Sequence, residues 1–452
     1  MCKYSVSIES GGEGSCSSSG KKLSVSARGL ARDGLSANGL ENKANELDGF
    51  TGQVIDTIIV YGNERTKRRA VIREMASKKG ERIDPDLIKR DSSYLKGMGY
   101  FSSVDISVEN IIENRCRVIV KVDERPNLFM KYPYPVLDYH FKEGIRYGVR
   151  WRIKNFRGLG EKISASFKKR RDKEHGGSAS WFIPWVFGKR MRLRFDFFNY
   201  RRLDEPEYAD FIKEKNGVRF SLGLPLTKDL VEQIWLTPTI SMEARNSRLS
   251  IPEGTYYRQN ILTLGMRLTY DSRNTWIVPT EGVYARVNLK HVLSVNGLDQ
   301  EYSFFSFSTS NFTSFGKMGT LILAVRADNY EGSLPGFYEM KLGGNSDLRG
   351  YSEDMRGTAK ILGTVQWRKN IYGPNVFEIS RIGKFDLSIN AIAFIDTGAL
   401  SRGFEYFNTS IFHSTFGGGI EVLSPIQDIV RFEIASDRHG HSAFYLTSGT
   451  KF

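Results

Sequence analysis

The chain has little of what covalent or metal-based chemistry requires. Its 452 residues include three cysteines and six histidines. Cys2, Cys16 and Cys116 are widely scattered and form no Cys-x-x-Cys pair, so neither a disulfide framework nor a zinc site is supported. His439 and His441 flank a glycine, but two histidines without a third ligand read as a solvated turn. No Gly-x-Ser-x-Gly elbow, Walker loop or His-Glu-x-x-His motif occurs, so there is no catalytic residue or cofactor site to propose, and the reading is not an enzyme. Long apolar runs are missing too. The run Trp181-Phe182-Ile183-Pro184-Trp185-Val186-Phe187 contains a proline and is far short of the ~20 residues of a membrane-spanning helix. A mean hydropathy of −0.36 would suit a soluble protein, but a β-barrel evades that test because half of each strand is polar.

What the chain does have is positive charge and aromatics. Lys and Arg total 65 against 51 Asp and Glu, a net charge of +14. Such a balance favours nucleic acid or anionic lipid. The arginines, however, are spread through the chain without a recognition motif, and nucleic acid is set aside as a partner. The cluster Lys168-Lys169-Arg170-Arg171 stands beside Asp172 and Gly176-Gly177, and reads as a solvated hairpin tip rather than a grip on acidic lipid.

Along the chain, residues 1–52 are rich in Ser, Gly, Asn and charge and read as disordered. Residues 1–10 offer no basic start followed by an apolar run, so no secretory leader can be read there. Residues 53–125 read as a small β-α-α-β-β module. The β-branched stretch 54–60 ends at Tyr61-Gly62-Asn63, Thr66 is placed to cap one helix, and Asp84-Pro85 starts a second that Gly97 and Gly99 end. Cys116 opens the last strand as a small buried hydrophobe.

From 126 to 452 the period changes to two. Ile145, Tyr147, Val149 and Trp151 alternate with Arg146, Gly148, Arg150 and Arg152, and the scheme recurs down the chain. Alternation does not by itself tell inside from outside, but 29 Phe, 21 Tyr and 6 Trp suit the interfacial girdles of a membrane barrel. About 320 residues at roughly 20 per strand and turn predict about 16 antiparallel strands. The first is read as residues 144–152, and the last carries Phe444, Leu446 and the terminal Phe452 on one face.

Several short motifs then fall in order. Gly97-Met98-Gly99-Tyr100-Phe101 and Val120-Lys121-Val122-Asp123-Glu124 sit in the small module. Asp271 and Arg273 are followed by Pro279 and Gly282; Leu348-Arg349-Gly350-Tyr351 lies in a glycine-flanked segment; Phe394-Ile395-Asp396-Thr397-Gly398 lies on a strand; Gly417-Gly418-Gly419-Ile420 and Ser424-Pro425 precede the end. In this order and spacing the chain resembles the BamA/TamA outer-membrane assembly-factor superfamily, which includes Sam-type and two-partner-secretion relatives. The resemblance covers residues 53–452.

The resemblance implies one POTRA domain followed by a transmembrane β-barrel in an outer membrane. A Gram-negative membrane is the first reading and a mitochondrial or plastid one the alternative, with the POTRA on the periplasmic or intermembrane side. It implies insertion of outer-membrane proteins by strand augmentation and a lateral seam, with export of a dedicated client as the alternative and a passive channel behind both. Partners would be unfolded protein clients, membrane lipid and accessory assembly proteins. It also implies that Arg349, in a loop with Gly350 and Tyr351, reaches Asp396 inside the lumen. Asp271, Arg273, Pro279, Gly282 and Gly398 would be structural motif positions, and Phe444, Leu446 and Phe452 a C-terminal signal. Gln366 stands where relatives often carry an acidic residue facing that arginine, which implies a reduced ion-pair network.

Overall fold

The computed structural model describes residues 22–26, 49–125, 133–140, 144–170, 174–204, 211–228, 232–249, 256–275, 277–296, 301–334, 339–344, 346–351, 355–379, 383–423, 429–449 and 451. The first unit contains β1 (Lys22–Ser26), β2 (Val54–Tyr61), helices α1 (Arg68–Ile72) and α2 (Pro85–Gly97), then β3 (Phe101–Ile112) and β4 (Arg115–Glu124). The sheet order is β1-β3-β4-β2, with β2 parallel to β4 and the other pairs antiparallel. The Asp84 side chain accepts from the Asp86 amide at 2.9 Å, and Pro85 occupies the first turn of α2, where its missing N–H is no loss. The helix turns Ile88 and Leu95 onto Val104, Ile106, Val118 and Val120, all fully buried. Truncating Ile88 to alanine would cost about 2–5 kcal/mol. Burial pushes the Cys116 thiol up to about 11, with Asp56 adding to the shift, so it stays a neutral core group.

Two expectations for this unit change. Within the segment read as disordered, Lys22–Ser26 pairs along the outer edge of β3, from Lys22 with Glu109 to Ser26 with Asp105. An open strand edge takes an added strand through backbone bonds with little regard to sequence, which composition does not register. Thr66 does not cap α1; Lys67 holds that position without a side-chain bond. Instead Thr66 is buried, its amide donating to Glu124 and its hydroxyl accepting from Asn155 Nδ2 at 2.8 Å, so it ties the unit to the barrel.

The barrel begins with β5 (Tyr134–His140), β6 (Gly144–Phe156), β7 (Glu161–Arg170), β8 (Glu174–Ile183), β9 (Arg192–Asp204) and β10 (Phe211–Pro225). It continues with β11 (Gln233–Leu249), β12 (Tyr256–Asp271), β13 (Gly282–Asn296), β14 (Tyr302–Ser314) and β15 (Thr320–Gly332). A short pairing of β16 (Met340–Lys341) with β17 (Arg356–Gly357) marks a loop excursion. The wall resumes with β18 (Ala359–Ile379), β19 (Gly383–Ser401), β20 (His413–Leu423), β21 (Ile429–Asp437) and β22 (Ser442–Ser448), which closes on β5. Sixteen antiparallel strands form the closed barrel. No described helix is long and apolar enough to cross a membrane.

Alternation now acquires a direction. Ile145, Tyr147 and Val149 on β6, and Leu264, Met266 and Leu268 on β12, are among the exposed large apolar residues. Their polar neighbours turn inward, as for Ser241, Glu243 and Arg245 on β11. Apolar out and polar in is the membrane arrangement.

The first barrel strand is β5, not residues 144–152, which form the second strand, β6. Pro133 and Pro135 mask this strand in the sequence, yet Pro135 is accommodated opposite Val149 in the register. Gly176 and Gly177 lie inside β8 rather than in a hairpin tip, while Lys168 pairs with Asp138 at 2.5 Å and Arg170 with Glu174 at 3.3 Å.

The α1 side of the first unit docks on the turn between β6 and β7. The Lys67 amide donates to the Gly158 carbonyl at 2.9 Å and the Tyr100 hydroxyl to the Gly160 carbonyl at 2.9 Å. Trp185 Nε1 donates to Glu74 at 2.6 Å, and the Arg73 guanidinium lies 5.1 Å from the Trp185 ring centre.

Candidate functional site

The segment between β15 and β18 folds back into the lumen and carries Arg349 with it. Leu342, Leu348 and Tyr351 pack on Leu362 of β18 and Leu400 of β19 as a small apolar cluster. Asp347 pins the segment's flank, meeting Lys360 Nζ at 2.6 Å and Arg326 at 3.5 Å. Gly350 adopts φ +83°, a region that side chains rarely enter. A Cβ there would come within 2.9 Å of the Ala435 carbonyl carbon, so β21 leaves room for glycine alone. The Gly350 amide donates to the Tyr445 hydroxyl of β22 at 2.9 Å. Tyr351 lies buried with its ring 4.5 Å from that of His413.

Arg349 has no solvent exposure. Its Nε donates to Asp396 Oδ2 at 2.7 Å and its Nη2 to Oδ1 at 2.8 Å, the two-pronged geometry in which guanidinium matches carboxylate. Nη1 reaches Glu433 on β21 at 2.6 Å and the Gln366 amide oxygen at 3.4 Å. The guanidinium also lies over the Phe394 ring, 3.2 Å from its centre. Asp396 further accepts from Thr364 Oγ1 at 2.7 Å and from Lys451 Nζ at 3.2 Å. Arg431 of β21 lies 3.9 Å from Glu433, so among the described residues three cations face two carboxylates in a sealed space. A buried pair of this kind is expensive to break, because the survivor is left charged and without water.

The sequence therefore brought Arg349, Gly350, Tyr351 and Asp396 to one place, and missed Glu433, Thr364, Phe394, Tyr445 and Lys451. Gln366 contacts the arginine as a neutral group and Glu433 supplies the second carboxylate. Glu433 had a readable signal, an acid on the polar face between the outward Phe432 and Ile434. Lys451 had none, since no strand periodicity reaches it.

The other motif residues stand apart from this cluster. Asp271 holds Arg273 through two bonds of 2.9 Å, and that guanidinium lies 4.1 Å from the Tyr284 ring centre. The Pro279 carbonyl accepts from Arg368. Gly282, at φ +100°, lets β13 begin against Ser272, whose carbonyl would lie 2.3 Å from a Cβ. Gly398 sits on β19 against Leu362 and Leu342. Phe444 is exposed on the outer face of β22 and Leu446 is half-buried beside it. Phe452, and with it Ser424 and Pro425, lies outside the described residues.

At the closure of the barrel, the registered pairs among the described residues are Tyr445 with His140 and Leu446 with Tyr139. Outside the strand ladder, the Ser448 hydroxyl bonds Asp138 at 3.0 Å, and the Tyr139 and Phe444 rings lie 5.9 Å apart.

Residues 155–452 match the Omp85 superfamily domain, and residues 53–125 match the POTRA family described as a surface antigen variable number repeat. The fold is similar to BamA from Haemophilus ducreyi lacking POTRA domains 1–3, with a TM-score of 0.54 at 14% identity over 88% of this chain and 84% of that one. It is similar to CdiB from Escherichia coli, with a TM-score of 0.61 at 12% identity over 92% and 84% of the two chains. CdiB from Acinetobacter baumannii gives 0.58 at 10% identity over 88% and 74%.

Proposed function

This chain belongs to the Omp85 superfamily, and on that basis we propose that it inserts client β-strands into an outer membrane through a lateral seam between β22 and β5. The observation that carries this reading is the short pairing at the closure among the described residues, Tyr445 with His140 and Leu446 with Tyr139. In hydrocarbon every backbone N–H and C=O must be bonded, so a wall opens only where few bonds are exchanged at once. A client strand pairing with the freed edge would replace those bonds and extend the sheet by augmentation, without chemical fuel. The edge of β3 supports an earlier contact of the same kind, since it already accepts β1 as an added antiparallel strand. The POTRA unit would face the periplasm, or the intermembrane side in an organelle, where unfolded clients and accessory assembly proteins arrive. Export of a dedicated client through the lumen is the second reading, favoured by a cavity of about 760 Å³ at the POTRA end of the barrel.

One experiment separates the two. Tyr139→Cys with Leu446→Cys places thiols on a registered pair across the seam, where Cα separations suit a disulfide. The oxidised protein should remain a folded barrel and lose client insertion, and reductant should restore it. Full activity in a crosslinked barrel would discard the seam and leave the lumen as the route. Separately, Phe444, Leu446 and Phe452 are proposed to serve this protein's own insertion. Deleting Phe452 should lower its level in the membrane without lowering synthesis, and equal levels would end that assignment.

A further inference from the structure

The cavity at the POTRA end is unlike the sealed cluster around Arg349. It is lined by nine lysines and arginines but three carboxylates, Glu74, Asp196 and Asp271. Each of those acids already serves a cation. Asp271 holds Arg273 at 2.9 Å, Asp196 meets Arg194 at 2.8 Å, and Glu74 lies 3.6 Å from Arg73 while accepting from Trp185. Lys215 and Arg219 share one further acid, Glu243, with Arg245. Three more arginines are met by neutral groups. Arg192 donates to the Gln233 amide oxygen at 3.2 Å and stacks 3.5 Å from the Trp235 ring centre. Arg267 donates to Asn288 at 2.7 Å and Arg286 to the Tyr284 hydroxyl.

A surplus of like charge inside low-dielectric walls focuses a positive potential on the space it encloses. The arrangement also says what shape of anion fits. Arg192 stands on β9, Arg219 on β10, Arg267 on β12 and Arg286 on β13, so the charges are spread around the wall rather than aimed at one point. With neighbouring strands ~4.8 Å apart, β9 to β13 spans roughly 19 Å. That is a row for several linked anions. Guanidinium groups match carboxylates two bonds at a time, and Trp185, Trp235 and Tyr284 supply ring surface between them. From β9 to β13, away from the closure between β22 and β5, strand pairing is continuous, so the wall beside these charges gives a lipid tail no path in with its headgroup. A volume of about 760 Å³ lies within the range that encloses a drug-sized ligand. From this geometry we infer that the POTRA end of the lumen is a binding site for an acidic peptide segment, several Asp or Glu residues in extended form. This rests on the reading of the barrel as one that handles protein chains, but not on the seam.

The test uses the purified full chain in detergent, with a fluorescent octaglutamate peptide as probe. Octaglutamine of the same length and inorganic phosphate serve as comparisons. Octaglutamate should bind, bind less tightly as salt rises, and bind about tenfold more weakly to Arg267→Gln/Arg286→Gln. That variant should keep the barrel's resistance to unfolding by SDS without heat. If it does not, each single variant should weaken binding on its own. Octaglutamine binding as tightly as octaglutamate, or unchanged affinity in every folded variant, would overturn the site. Displacement of octaglutamate by inorganic phosphate at comparable concentration would overturn the extended-peptide assignment in favour of a point anion site. No client insertion is measured, so this result and that of the seam crosslink fall independently.

Discussion

The wall that receives Arg349 and the seam beside it are built in opposite ways. β18 and β19 pair from Ala359 with Ser401 to Ile379 with Gly383, the loop packs over them, and Arg349 joins a buried cluster of paired charges inside. Three strands further on, β22 meets β5 through two registered pairs among the described residues. One region is held by backbone ladder, apolar contact and ion pairs together, the other, among the described residues, by a short ladder. Yet they are not separate. Tyr445 is one of the two registered residues of β22 at the seam, and its hydroxyl also accepts from Gly350 in the pinned loop. Lys451, just past the end of β22, reaches Asp396. The weak seam is backed from within by the strong cluster.

Removing the centre of the strong region should have the largest effect. Arg349→Ala would leave Asp396 with Lys451 and Glu433 with the more distant Arg431 as nearby cations, a loss of about 3–5 kcal/mol for a broken buried pair. The loop should become open to protease, the barrel should still form, and activity should fall. If proteolysis and activity match the wild type, the cluster does not hold the loop. Asp396→Asn should resemble it, and the double variant should show less than the sum of the two, because both changes break the same contact.

The strong region is also the more legible one. Arg349 stands out as a charge in a glycine-flanked loop and Asp396 lies on the polar face of a strand, and it is the resemblance of their two motifs to a known family that pairs them. Alternation yields the barrel, since a period of two survives in the wall segments, and the length of chain that remains yields the count of its strands. The seam lies one strand earlier than alternation indicates. Pro133 and Pro135 punctuate β5, and a proline in a strand is legible only once its neighbours show which N–H groups are needed. Glu433 and Tyr445 were hidden for a different reason. Their inward direction could be read from Phe432, Ile434 and Phe444, but which loop would meet them depends on how the closed barrel brings β21 and β22 to β19. Strand β1 was invisible because it pairs with an edge far away in sequence (Leu23 opposite Val108).

An intermediate effect is expected where the two regions touch. Tyr445→Phe keeps the ring and removes the acceptor for the buried Gly350 amide, which costs about 1–3 kcal/mol when a donor is left unmet. If the loop backs the seam, this variant should crosslink less efficiently when combined with Tyr139→Cys and Leu446→Cys, because β22 samples positions away from β5. It should also expose the loop to protease less than Arg349→Ala does. Unchanged crosslinking with a loosened loop would show that the seam stands without internal support.

The smallest effect is expected far from both regions, where the POTRA unit holds its own turn. The Glu124 carboxylate accepts from the Thr66 amide at 2.6 Å, the Arg65 amide at 3.1 Å and Arg65 Nε at 2.8 Å. Burial alone would raise its pKa, but the bonds from Thr66 and Arg65 outweigh it and hold the group below its ordinary 4.5. A depressed carboxylate contributes stability that is present above pH 4.5 and is lost as pH falls through the folded value. Glu124→Gln should therefore speed hydrogen exchange at the Arg65 and Thr66 amides near neutral pH by about fivefold, on the order of 1 kcal/mol for exposed-side partners. The wild type should approach the variant as pH drops below 4.5. Exchange at Arg349 and Gly350 should stay the same in both proteins, which would show that the pinned loop does not depend on the POTRA attachment. Equal exchange of the Arg65 and Thr66 amides in variant and wild type at neutral pH would mean that the carboxylate does not hold the turn.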